Sequence, residues 1–501
     1  MKILKQYIDV IDFFKVKEPE INVIIGGEST KARQFFDGIA LDIWQSEDEA
    51  AAALYGADCA ASHPSFRVLK TELKKRLHFL IGGAIDFKQT DKMTEFQQAH
   101  YITIRQQAIL KILNGRLKHL AAFDLAHNLC ELAMKFEFAE PVITATATLK
   151  RHYLTRMPDA KKYAYYKALN EKHIHIFQAE KMANDAHLEV AATYIETRVT
   201  KAWLIPIIDA HLQQLNTYID TIDSFFFIYD VGMLRIWSYI VTNDYERCLN
   251  VCNECIGRLE KKLFRYDSAL SGLLHRKVIC CMMLRKYEDA MKSIEKAFLL
   301  VQPHTHNWFN NGILHIQLSF HTQDYKQGIR KCIELVQSSG FAYQTKATIE
   351  ELRICEAYLQ WLVTYDKIKV TKAEKEGIGQ FRMTRIVNEL PIFSKDKKGM
   401  NIPILMLQVL WLLSEKRYDE FLDRLDALLK YKTRYLKEDE NLRTNLIIKL
   451  LYQIPENNYD KRKILRKAEG MYKRLVEVQS TTYEIEVFPY SVYWNLVVDI
   501  L

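Results

Sequence analysis

Asn243-Asp244-Tyr245-Glu246, Arg285-Lys286-Tyr287-Glu288, Gln323-Asp324-Tyr325-Lys326 and Lys416-Arg417-Tyr418-Asp419 are one short phrase written four times. The agreement runs outward from each tyrosine. Nine residues before it stand Ile236, Val278, Ile316 and Val409; five before it, Ile240, Met282, Phe320 and Leu413. Four residues after it come Leu249, Met291, Ile329 and Leu422; eleven after, Ile256, Phe298, Val336 and Leu429. Apolar steps of three and four on both sides of a polar break describe two amphipathic helices joined by a tight turn. One such pair cannot bury its apolar face alone. The repetition therefore predicts an all-α chain built as an α-solenoid of stacked antiparallel helix pairs.

The phrase resembles the tetratricopeptide repeat. That family sets an aromatic at the start of its second helix, then small residues three and ten positions later. Here the three-later position holds Cys248, Ala290, Gly328 and Phe421, and the ten-later position holds Cys255, Ala297, Leu335 and Leu428. The first two units fit, whereas the last carries large residues at both places, so its helices must approach differently. The tyrosines are 42, 38 and 93 residues apart, against a period of about 34 in the standard repeat. The family's tryptophan and leucine-glycine signature in the first helix is absent. The likeness covers 230–340 and 402–432. It implies a surface on which a protein or peptide partner docks, along the first helices of successive pairs. Helical phase nominates Arg235, Tyr239, Asn307, Asn311 and His315 as its lining.

Composition agrees with helices throughout. Seventeen glycines and ten prolines in 501 residues are about half the usual share. The 70 basic and 62 acidic residues leave a net charge of +8, so the bulk surface is mixed in sign. The imbalance is local: an acidic block (Asp37, Asp42, Glu47, Asp48, Glu49, Asp58) precedes a basic one between His63 and His119. Nine cysteines show no extracellular spacing, the N-terminus lacks a signal-peptide pattern, and no apolar run reaches membrane length. The expectation is a cytoplasmic protein. Three regions are expected: a helical module over 1–90, a repeat solenoid over 91–390, and repeats with a cap over 402–501. The polar stretch Ser394–Gly399, between Pro391 and Pro403, marks the internal boundary.

Within the first region, Val23-Ile24-Ile25-Gly26-Gly27 reads as a short strand or a turn. Ser46-Glu47-Asp48-Glu49 reads as a capping box. A helix follows with Phe66, Leu69, Leu73, Leu77 and Leu80 on one stripe and Arg67, Lys70, Lys74, Lys75 and Arg76 off it. Helix, turn and longer basic helix is the outline of a helix-turn-helix, and such cations neutralise phosphates. The same positions serve equally as the solvated face of a leucine-striped helix. The alternative function is thus a nucleic-acid-binding regulator whose solenoid acts as sensor.

Cys248-x-x-x-Cys252-x-x-Cys255 has the spacing with which radical S-adenosylmethionine enzymes hold an iron–sulfur cluster. Such a site needs three thiolates converging from a loop. These cysteines instead fall three, seven and ten positions after Tyr245, at helix-contact positions. His173/His175 and His304/His306 are two apart, and residues two apart on a helix diverge. No phosphate-binding, dinucleotide-binding or hydrolase motif occurs. The chain is expected to be non-enzymatic, with no metal and no cofactor.

Overall fold

The computed structural model describes residues 1–83, 93–197, 203–384, 386, 401–435, 442–478 and 486–501. Among these residues every regular element is helical. The chain divides into two compact units, 1–177 and 178–501. The division falls inside one long helix, while composition had placed boundaries near 90 and 391–403. The expected polar boundary at 391–400 lies outside the described residues.

The first unit opens with α1 (Lys2–Phe13), α2 (Glu18–Ile24), α3 (Lys31–Ala40), α4 (Glu47–Tyr55) and α5 (Pro64–Gly83). Residues 23–24 are the end of a helix, which corrects the strand reading. Pro19 and Glu20 in the first turn favour helix start, because proline's missing N–H has no intrahelical partner there. Ile8 and Ile11 of α1, Phe35 of α3, and Phe66, Leu73, Leu77 and Leu80 of α5 form one buried core. Ser46 caps α4 through the Glu49 N–H at 3.1 Å, but the Glu49 carboxylate accepts from the Gln45 N–H, not from Ser46. Next come α6 (Glu95–Gly115), α7 (His119–Lys135), α8 (Ala139–Thr155) and α9 (Ala160–Thr197), the helix that carries the division. Ala122, Ala126 and Ala133 of α7, with Ala145 of α8, are buried. Small side chains there let the two helix backbones come close.

The second unit continues with α10 (Leu204–Ile219), α11 (Phe225–Val241), α12 (Tyr245–Leu259), α13 (Asp267–Met283), α14 (Tyr287–Leu299), α15 (His306–Thr322), α16 (Tyr325–Val336), α17 (Lys346–Thr364) and α18 (Lys372–Ile378). After them come α19 (Asn401–Ser414), α20 (Tyr418–Tyr435), α21 (Leu442–Glu456), α22 (Lys461–Glu477) and α23 (Tyr490–Ile500). Each of the four marker tyrosines is the first residue of its helix. Consecutive helices from α10 to α17 touch, and so do the alternate helices α11 with α13, α13 with α15 and α15 with α17. The N-cap of α17, Thr345, accepts from the Thr348 N–H.

The turns share one geometry. Asn243, Arg285, Gln323 and Lys416, each two residues before its tyrosine, take left-handed φ values of 57°, 58°, 59° and 55°. Leu117 and Glu137 do the same, both at 58°, two residues before α7 and α8. At five of these six turns the next N–H bonds back to a carbonyl five residues earlier, as Asp244 does to Tyr239 at 2.9 Å and Lys286 to Cys281 at 2.8 Å. This is the Schellman closure, which satisfies carbonyls left over at a helix end. The helix–turn–helix unit therefore also occurs around α6–α8, where no tyrosine marks it.

Candidate functional site

The nominated lining residues fall into two groups. Arg235, on α11, pairs with Glu254 of α12 at 3.2 Å, and Tyr239 one turn later is half-buried. Asn307 is exposed and donates to Ser268 Oγ at 3.3 Å. His315 is half-buried, with Nε2 placed 3.2 Å from Gln327 Oε1. Asn311 differs from the rest. It is buried, donates to Ser271 Oγ at 3.2 Å and lies 3.1 Å from His275 Nδ1. Its amide joins α15 to α13 and does not line an open surface.

The basic face of α5 is largely spoken for. Lys70 reaches Glu47 at 2.5 Å, and the same carboxylate takes the N-terminal ammonium at 2.6 Å. Lys75 pairs with Glu72 at 2.8 Å, and Arg76 donates to the Ile25 carbonyl at 2.6 Å. Lys74 lies 6.0 Å above the Tyr7 ring, and Arg67 is exposed. Further, α5 packs on α1, α2 and α3, while α4 packs on α3. Most of these basic residues are thus engaged within the first unit, and Lys70 with Glu47 links α5 to α4.

Two of the three cysteines singled out by spacing do converge, although with a different third. The Sγ atoms of Cys248, Cys252 and Cys280 lie within 4.8 Å of one another, all buried. A soft ion takes such thiolates. No fourth Cys, His, Asp or Glu joins them among the described residues, so the tetrahedral set of structural zinc is not assembled. Cys255 turns the other way, and a Cβ added at Gly232 would collide with its sulfur. These thiols fill the crossings of α12 with α13 and α11. Of the paired histidines, His304 and His306 contact Ser338 and Gln344 separately.

The most distinctive site lies where the C-terminal elements meet the repeat turns. Arg285, in the turn before α14, donates to the Val476 carbonyl, a contact across 191 residues. Arg443, at the start of α21, makes a two-pronged ion pair with Glu486 at 2.6 and 2.8 Å. Their side chains are only 8% and 4% exposed. Arg443 also donates to the Leu475 and Val478 carbonyls, and Glu486 accepts the Tyr490 N–H at 2.8 Å. Burial alone would raise the Glu486 carboxyl, but the Arg443 hydrogen bonds and charge bring it below its ordinary range. Two residues on, Phe488 inserts among Phe320, Tyr325 and Tyr358, with ring centroids 4.9, 6.2 and 5.3 Å away. The non-helical segment 486–489 is thus held by side chains of α15, α16, α17 and α21.

Beside that segment opens a cleft of about 120 Å³. Its apolar side is Met282, Met283, Val476 and Pro489; its polar side is Arg285, Tyr287, His321, Arg443, Glu486 and Ser491. Tyr287 and His321 lie ring to ring, centroids 5.9 Å apart. Burial, opposed by the Glu486 charge and helped by Arg443 and Arg285, pushes the His321 imidazole down to about 4. Burial raises the Tyr287 phenol, so at neutral pH one is an uncharged imidazole and the other a hydroxyl donor. The repeat phrase Arg285-Lys286-Tyr287 marked one edge of this cleft, but only as a turn. Arg443 and Glu486 carried no signal, because their partners are distant in sequence.

Comparison with known proteins yields no match: no family model, no curated protein and no solved structure is similar to this chain.

Proposed function

We propose that this protein is a non-catalytic helical-repeat scaffold or regulator, a tetratricopeptide-like α-solenoid that binds a protein or peptide partner. One observation carries the reading: the repeat helices already hold a non-helical stretch of polypeptide, with Phe488 between aromatic side chains and Glu486 on Arg443. Extended segments are held in this way by side-chain pockets and charge-assisted hydrogen bonds. The contacts between alternate helices α11, α13 and α15 support stacking of successive pairs, and half-buried Tyr239 and exposed Asn307 are the candidate contacts on α11 and α15.

The test is a pull-down with full-length chain from the native host's lysate, with and without nuclease, repeated with Tyr239→Ala and Asn307→Ala. A stoichiometric protein that survives nuclease and is lost with the double variant is the expected result. Recovery that disappears with nuclease would overturn the reading in favour of nucleic acid.

A further inference from the structure

The cleft beside residues 486–489 carries chemistry that peptide capture by the repeats does not use. Two guanidinium groups, Arg285 and Arg443, face one carboxylate, Glu486, so two positive charges against one negative leave a single positive charge. Arg443 and Glu486 satisfy each other at the floor. The surplus is Arg285, which is exposed. Around it the Tyr287 hydroxyl, the His321 imidazole and the Ser491 hydroxyl make no hydrogen bond among the described residues, although all three line the cleft. These are hydrogen-bonding groups from three parts of the chain, brought to the lining of one cleft. The opposite side, Met282, Met283 and Val476, suits hydrocarbon.

We propose that this cleft binds a small carboxylate, its head against Arg285, Tyr287 and Ser491 and its hydrocarbon part on the methionine side. Size agrees, since a cleft of about 120 Å³ admits a short acid or the end of a longer molecule. Charge selects carboxylate over phosphate. A carboxylate neutralises the single surplus charge, whereas a phosphate dianion would leave excess negative charge beside Glu486. The planar guanidinium fork also matches a planar carboxylate in two-pronged contact. The source is either a free short-chain acid or the carboxyl terminus of a polypeptide, which present the same head.

Titration calorimetry on the full-length chain distinguishes these. The probes are propionate, an acetylated alanine tripeptide with a free C-terminus, the same tripeptide as its amide, and inorganic phosphate, all at matched ionic strength. Saturable binding of propionate or of the free-acid tripeptide, and not of the amide, is the expected result. Propionate binding as well as the tripeptide indicates a free acid, and a preference for the tripeptide indicates a polypeptide terminus. Arg285→Gln is chosen because Gln323 occupies the same turn position one repeat later, so the variant keeps its fold. It should weaken binding about tenfold, the loss of one charge-assisted contact. Tyr287→Phe should weaken binding several-fold while leaving the melting temperature unchanged, because the hydroxyl has no partner to lose. The proposal fails if neither carboxylate saturates, if phosphate binds as tightly, or if both variants bind like the wild type.

Discussion

Arg443 and Glu486 are the residues on which the second unit is most exposed to damage. A guanidinium held out of water is tolerable only while its carboxylate is in place, and removing one partner leaves the other charge buried and unpaired. Glu486→Gln should therefore cost about 3–5 kcal/mol, read as a shift of the urea midpoint followed by circular dichroism. Adding Arg443→Met to that variant should cost less than it does alone, because the orphaned charge is then gone. Strict additivity of the two changes would mean that the pair is not coupled. The partners lie 43 residues apart, and no periodicity joins them. That separation is why nothing in the sequence marked the ion pair that anchors the segment at Phe488.

At the level of elements, helix length and turn position were legible because they rest on local chemistry. Thr345 begins α17 and Asp244 caps α12 through the Arg247 N–H, and both follow from side-chain acceptors at helix starts. The turn geometry was only half legible. The tyrosine marks where the second helix begins, but the left-handed residue two places earlier is leucine, glutamate, asparagine, arginine, glutamine or lysine, and no residue type announces it. For that reason no repeat phrase aligned with the α6–α8 hairpins, although the expected solenoid spans them. A non-glycine residue pays about 1–2 kcal/mol in this conformation, whereas the extra freedom of glycine when unfolded costs only about 0.5–1 kcal/mol. Leu117→Gly and Lys416→Gly, both at exposed positions, should then leave stability unchanged or raise it by up to about 1 kcal/mol. Lys292→Gly, at an exposed interior position of α14, should instead lose about 1 kcal/mol. Thermal unfolding of the three variants side by side checks the difference. Equal losses at all three positions would mean the shared turn is wrongly described.

For the whole molecule, the all-helical class was legible from composition and period, and the division into units was not. Composition marks loops, whereas the division at 177–178 runs through a helix. Burial has a further consequence for the second unit. Burial and the Arg276 charge push the His275 imidazole down to about 4, and His321, facing Arg285, Arg443 and Glu486, is pushed to about the same value. An unfolded histidine takes up its proton near pH 6.5. Between about 6.5 and 4 the unfolded chain therefore binds more protons than the folded one, so stability falls as pH is lowered through that window. Glu486, held below its ordinary range, adds a loss of the same sign below about pH 4.5. Urea midpoints should accordingly be flat from pH 8 to 7 and decline steadily toward pH 4.5. His275→Gln removes one titrating group, while Gln can still donate to Asn311, so its midpoint should decline less steeply over the same range. A midpoint independent of pH between 7 and 4.5 would mean that neither imidazole is held neutral by its surroundings.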